Sequence, residues 1–155
     1  MQRRHALLCL PALVLAGCAM MPGREPLRVQ VVDLEPAGDR ESLEARFLCV
    51  LRVQNPNDAP LDFSGVSLDL LVRGNPFGSG VADIGGTVPR FGEVLLRVPV
   101  SVSAFNIARV GIGLFMDNSQ ALKVDYLARG RIGSERFESR GELTMPRFRE
   151  GPAAS

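Results

Sequence analysis

The chain has 155 residues, with 18 lysines and arginines against 17 aspartates and glutamates and a formal net charge of +1. That length suits one domain, and charge so evenly interspersed gives no clustered basic face, which excludes the electrostatic footprint of a nucleic-acid binder. The only histidine is His5 and the only lysine is Lys123; a chain that lost its first residues would have no imidazole for a Ser-His-Asp or Cys-His nucleophile, nor the commonest transition-metal ligand.

The N-terminus has three parts. Arg3, Arg4 and His5 are basic, Ala6–Leu15 is apolar apart from Pro11, and Ala16 and Gly17 are small. This is the layout of a secretory signal. Its apolar run is about ten residues long, whereas a membrane-spanning helix needs about twenty. The four residues "LAGC", Leu15–Cys18, resemble the lipobox of bacterial lipoproteins. The resemblance implies cleavage before Cys18 and acyl chains on its thiol, with each buried methylene contributing about 0.8 kcal/mol to membrane binding. It places the chain in the bacterial cell envelope, with its domain in the periplasm. Ala19 stands where inner-membrane lipoproteins commonly carry aspartate, which favours the outer membrane. Residues 1–17 are then a signal peptide and 18–26 a lipidated tether. Cys9 leaves with the signal and Cys18 is acylated, so Cys49 has no intramolecular disulfide partner. It lies on the apolar parity of a strand, where a free cysteine behaves as a small hydrophobe.

From Leu27 onward, period two dominates. Leu27, Val29 and Val31 share one face, as do Ala45, Phe47, Cys49, Leu51 and Val53. Opposite the second set stand Arg46 and Arg52, with Leu48 and Val50 between them, so that face is partly covered. The alternation returns in Val66–Val72, Val94–Val102, Leu122–Ile132 and Phe137–Met145. The glycine-rich segment Gly74–Gly86 predicts an irregular edge strand near Gly80–Ile84. One stretch departs from period two: Phe105, Ala108, Ile112 and Phe115 fall at helical spacing, with Ser103 to cap the start and Asn118 to end the helix. Gly111 and Gly113 each weaken that helix by up to about 1 kcal/mol relative to alanine. The pattern predicts a mainly β fold, an antiparallel β-sandwich of about seven strands with one short helix. It occupies residues 27–146, and residues 147–155 form a flexible tail.

"QNPNDAP", Gln54–Pro60, separates two alternating runs. Pro56 forces Asn55 to be extended, Asn57 tolerates a turn conformation, and Pro60 blocks a helix. The side chain of Asn55 is expected to satisfy backbone groups in the long connection. The longer stretch Val53–Ser103, "VQNPNDAPLDFSGVSLDLLVRGNPFGSGVADIGGTVPRFGEVLLRVPVSVS", resembles the LEA type 2 (WHy, water stress and hypersensitive response) domain family. The residues that carry the resemblance are Asn55, Pro56, Asn57, Pro60, Leu61, Gly65 and Gly80, with Val88–Glu93 and Val98–Ser103. The resemblance covers about Leu27 to Met145. It implies a small fibronectin type III-like sandwich with one helix, a role in desiccation and stress tolerance, and no catalytic residues; Asn55, Pro56, Asn57, Pro60 and Gly65 would be structural.

Other motifs fail on context. "GSGVAD" puts Asp83 where a dinucleotide fingerprint needs its third glycine, and "GIGLFM" lies in the helical stretch. Asp62, Asp69, Asp83 and Asp125 lack calcium-loop spacing. No enzyme activity, cofactor or metal is expected. Membrane contact through Cys18 is the partner expected first. The alternatives are an apolar ligand held between sheet and helix, with room left by Gly74–Gly86 and Gly111–Gly113, and an envelope protein docked on a sheet edge.

Overall fold

A computed structural model of the protein describes residues 23–37, 44–111 and 123–144. The expected signal peptide, Cys18, the second half of the helical stretch with Asn118, and the tail after Thr144 lie outside the described residues. Within them the elements are β1 (Arg28–Pro36), β2 (Glu44–Gln54), β3 (Leu61–Val72), β4 (Asn75–Val88), β5 (Glu93–Ser103), α1 (Ala104–Gly111), β6 (Lys123–Ile132) and β7 (Glu135–Thr144).

All pairings are antiparallel, and the seven strands form one sheet in the order β1-β2-β5-β4-β3-β6-β7. Alternation predicts a sandwich; the strands instead run into a single, nearly closed, barrel-like sheet. Two seams define it. At the first, β4 and β5 share one register pair, Ser79 with Ser101. At the second, β1 lies beside β7, and the gap is spanned by a side chain. The amide of Val31 donates to the hydroxyl of Tyr126 at 3.1 Å, and that hydroxyl sits 3.2 Å from Ser139 Oγ. The interior is apolar and continuous, from Leu34, Phe47, Leu51 and Val53 on one side to Leu68, Leu70, Val72 and Ile132 on the other. The rings of Phe47 and Phe77 meet at 6.0 Å and 46°.

Register shifts change the parity of strands, and two of them decide which residues of β1 and β3 face the core. In β1 the register shifts between Val31 and Asp33, which leaves Val32 and Asp33 both outward and brings Leu34 inward. In β3 it shifts between Ser64 and Val66 around Gly65, whose φ is +77°. Leu61 and Phe63 face the core before the bulge, and Val66, Leu68, Leu70 and Val72 after it. A bulge sets two residues against one, so β3 begins at Leu61 although its alternation is regular only from Val66.

The glycine-rich segment is not an edge. It forms the 14-residue β4, with β3 on one side and β5 on the other. A Cβ on Gly78 would lie 2.7 Å from Val100 Cγ1 and 2.8 Å from the carbonyl oxygen of Ser101, and one on Gly80 would run into the carbonyl oxygen of Pro99. The glycines therefore let β4 come against the backbone of β5.

The helix also differs from its sequence reading. Ser103 Oγ accepts the amide of Asn106 at 3.2 Å, as an N-cap does. The face turned to the core, however, carries Ile107 and Val110, while Phe105 and Ala108 are exposed. Asn106 Nδ2 donates to the carbonyl of Phe77 at 3.2 Å and fixes the roll of the helix. Phe105 lies instead under the Arg109 guanidinium, 4.7 Å from its ring centre, an i,i+4 cation–π contact.

The register sorts the two ends of the barrel. Arg28, Gln54 and Glu93 align at one end with Leu61 and Val88. The β3–β4 turn, α1 and Thr144 lie at the other. The chain enters the domain at the first end.

Gly80→Ala should destabilise the fold by about 2 kcal/mol, the usual scale of overpacking, because the atom in the way belongs to the backbone and cannot swing aside. Urea unfolding of the two proteins compares them directly.

Candidate functional site

The residues with the most specific geometry are those of the Asn-Pro-Asn turn. Asn55 ends the run of β2 and is only 2% exposed, one of two buried polar side chains among the described residues. A buried amide must be bonded on both its oxygen and its nitrogen, and Asn55 is. Nδ2 donates to the carbonyl of Ala59 at 2.8 Å and to that of Val88 at 3.3 Å. Oδ1 accepts the amide of Asn57 at 3.1 Å and its Nδ2 at 2.9 Å. The backbone amide of Asn55 donates to the carbonyl of Gly92 at 2.9 Å.

Asn57 extends the cluster outward. Its Oδ1 accepts the amide of Glu25 at 2.8 Å, and its Nδ2 donates to the carbonyl of Glu25 at 2.9 Å. This is the two-bond pairing that a strand neighbour would make, supplied here by a side chain. The carbonyl of Asn57 accepts the amide of Phe91 at 3.0 Å. Pro60 contributes its carbonyl to Arg24 Nη2 at 3.2 Å. Pro56 lines a hollow of about 550 Å³ with Arg28, Gln54, Asn55, Phe91, Gly92 and Glu93. Three segments distant in sequence thus converge here: the entry at Arg24–Glu25, the turn at 55–60, and the loop Pro89–Gly92.

Asn55, Pro56, Asn57 and Pro60 therefore form one cluster at the end where the chain enters. Gly65 does not join it. It sits at the bulge of β3, where its carbonyl accepts the amide of Gly133 at 3.0 Å. Cys18 lies outside the described residues. Glu25, Ala59 and Val88 join the cluster through backbone atoms, which leave no trace in side-chain patterns. The "VPRFGE" stretch, Val88–Glu93, is marked in the sequence only by its likeness to a family, and it supplies the loop that Asn57 holds.

The ion pairs Arg28–Glu25, Arg52–Glu93, Arg97–Glu35, Arg129–Glu138 and Arg140–Glu138 are all at the surface, where such pairs contribute about 0–1 kcal/mol each. Among the described residues no three histidines, cysteines, aspartates or glutamates gather as a metal site would require. Among the described residues the one strongly shifted group is Cys49, fully buried in β2. Burial, assisted by the negative charge of Asp33, pushes its thiol from 9.0 up to about 12. It stays a thiol at neutral pH, and a thiol is a poor nucleophile.

A family model described as late embryogenesis abundant protein, LEA_2, matches residues 50–144. No curated protein matches the sequence. Among solved structures, the chain is similar to the solution structure of AT1g01470 from Arabidopsis thaliana. That match has 19% identity and a TM-score of 0.52, and it covers 79% of this chain and 81% of that one. It is also similar to a crystal structure of a protein from Archaeoglobus fulgidus, with 15% identity, a TM-score of 0.41, and coverage of 80% and 98%.

Asn55→Ala should lower stability by about 2–4 kcal/mol, because it strands the buried carbonyl of Val88 as well as removing the part-buried bonds to Ala59 and Asn57. Asn57→Ala, at a half-exposed position, should cost less; thermal melts of both rank them. Cys49 should resist thiol reagents at pH 8 until denaturant is added. Its folded state favours the protonated form, so the stabilisation it gives is complete below pH 9 and declines as pH rises from 9 towards 12; denaturant titrations across that range, compared with Cys49→Ala, measure it. The matched stretch spans β3 to β7 and includes the whole Asn55 cluster apart from its entry segment, and the chain belongs to the late embryogenesis abundant, LEA_2, family.

Proposed function

We propose that this chain is a lipid-anchored, non-catalytic LEA type 2 domain of the bacterial cell envelope, serving desiccation and stress tolerance. Membership of the LEA_2 family carries the stress-related reading. The Leu15–Cys18 motif behind a basic and apolar leader supports the anchor, with the domain in the periplasm and the outer membrane favoured over the inner. The scaffold character of the Asn55 cluster, with a polar network spent entirely on backbone groups and its own turn, supports a role without catalysis. The sheet is best regarded as a fibronectin type III-like sandwich whose halves, β1-β2-β5 and β4-β3-β6-β7, have fused at the Ser79–Ser101 pair.

The alternative reading is an envelope binding module for an apolar ligand or a protein partner, and a second observation bears on where either would sit. Gly78 and Gly80, candidates to leave room for a ligand, are filled against β5. Outside them the β4–β5 seam borders a surface groove of about 690 Å³ whose lining mixes apolar Phe47, Leu68 and Val100 with polar Arg46, Asp69 and Ser101.

Metabolic labelling with a clickable fatty acid tests the anchor. Cys18 should carry the label, and Cys18→Ser should abolish it and release the protein from membranes. Drying a desiccation-sensitive enzyme with the purified protein tests the stress role: recovery no better than with an equal mass of an unrelated globular protein would remove it.

A further inference from the structure

The loop Pro89–Gly92 contains a residue the fold does not explain. Phe91 has φ +50°, a conformation rare for a bulky side chain. The amide of Gly92 returns to the carbonyl of Pro89 at 3.1 Å, so Phe91 occupies the third position of a tight turn, where a positive φ favours glycine or asparagine. Its ring is nevertheless 72% exposed. Neither local preference nor packing accounts for phenylalanine here, and strain of this kind, held in place by surrounding bonds, is a mark of function. The bond from Phe91 to Asn57 supplies that restraint.

The position of the loop indicates what covers it. Asn57 binds Phe91 through its carbonyl and Glu25 through its side chain. The exposed ring is thereby clasped to the point where the chain enters the domain. The stretch from Cys18 to Glu25 reaches at most about 25 Å when fully extended. The far end of the barrel is further on by the span of β5, about 35 Å along the strand and roughly 25–30 Å along a tilted barrel axis. An acylated Cys18 would therefore bring this end to the bilayer first. The surface around Phe91 offers that contact: Ala59, Pro60 and Pro89 are exposed and apolar, and Arg24 and Arg90 flank them, with exposed Asp58 and with Glu25, paired to Arg28, as acidic residues nearby. Aromatic and aliphatic groups with arginine at their border are the composition of an interfacial contact.

We infer that the tip formed by Phe91, Ala59, Pro60 and Pro89 is a membrane-contact surface, with the Phe91 ring seated in the headgroup region of the bilayer that holds the anchor. This rests on the acylation of Cys18. The contact orients the barrel upright, with α1 directed away from the membrane.

The protein contains no tryptophan, which permits a clean test. Full-length acylated protein carrying Phe91→Trp is reconstituted into phosphatidylethanolamine–phosphatidylglycerol vesicles with brominated acyl chains. Ala59→Trp gives a second reporter on the same tip, and Phe105→Trp one at the opposite end. Emission from Trp at 91 should shift to shorter wavelength and be quenched roughly twofold more than from 105, as expected for a ring buried several ångströms into the interface; position 59 should fall between them. Equal quenching at 91, 59 and 105 in protein of confirmed acyl mass overturns the contact and leaves the anchor standing. Missing acyl mass at Cys18 overturns both. A blue shift at 91 without quenching, together with crosslinked dimers, would assign the tip to a second copy of the chain and refute the bilayer.

Discussion

A single buried carboxamide joins what the sheet alone leaves apart. β2 and β3 are consecutive in sequence but lie in different halves of the sheet, separated by β5 and β4. The connection between them must cross the end of the barrel, where its backbone groups leave the ladders. Asn55 meets the carbonyls of Ala59 and Val88 with its nitrogen and the amide of Asn57 with its oxygen. The crossover, the end of β4 and the entry of the chain are fixed by one network. An alanine there would leave several desolvated groups, each costing about 1–3 kcal/mol, which is why a polar residue is kept in so apolar a setting. Proline on one side and asparagine on the other hold the amide in position: Pro56 restricts the backbone of Asn55, and Asn57 completes the acceptor side.

The two seams are closed by different means. Between β4 and β5 the devices are glycines, which allow backbone to meet backbone where a side chain would not fit. Between β1 and β7 the device is a tyrosine, whose ring lies in the core and whose hydroxyl reaches an amide at the β1 bulge. Each exploits an irregular place in the ladder. The pairing that does exist is strong and regular, most of all between β2 and β5, which run in register along their length.

Much of this was legible in the sequence. Where one face is buried and the strand is unbroken, alternation names the core residues, as in β2 at Phe47, Cys49, Leu51 and Val53 and in β5 at Leu96, Val98, Val100 and Val102. It fails where geometry departs from two residues per repeat. The bulge at Gly65 hid the first turn of alternation in β3. The glycines of β4 looked like the irregularity of an edge, because a missing side chain is the same signal whether solvent or a neighbouring backbone takes its place. On α1 the large ring of Phe105 suggested the buried face, yet Asn106 sets the roll and Ile107 and Val110 face inward. At the Asn55 cluster the sequence indicated that an amide needed partners. It could not name them, since most are carbonyls that every residue possesses.

The narrow join between β4 and β5 shapes how the native state breathes. Parting β2 from β5 would sacrifice a full ladder, whereas parting β4 from β5 severs one register pair together with core contacts such as that of Phe77 with Phe47. Partial unfolding follows the least costly boundary. The molecule should therefore yield first along this line, as two leaves still bound at the far edge by the Tyr126 hydroxyl, so that amides beside Ser79 and Ser101 exchange with solvent deuterium well before those in the centre of β2.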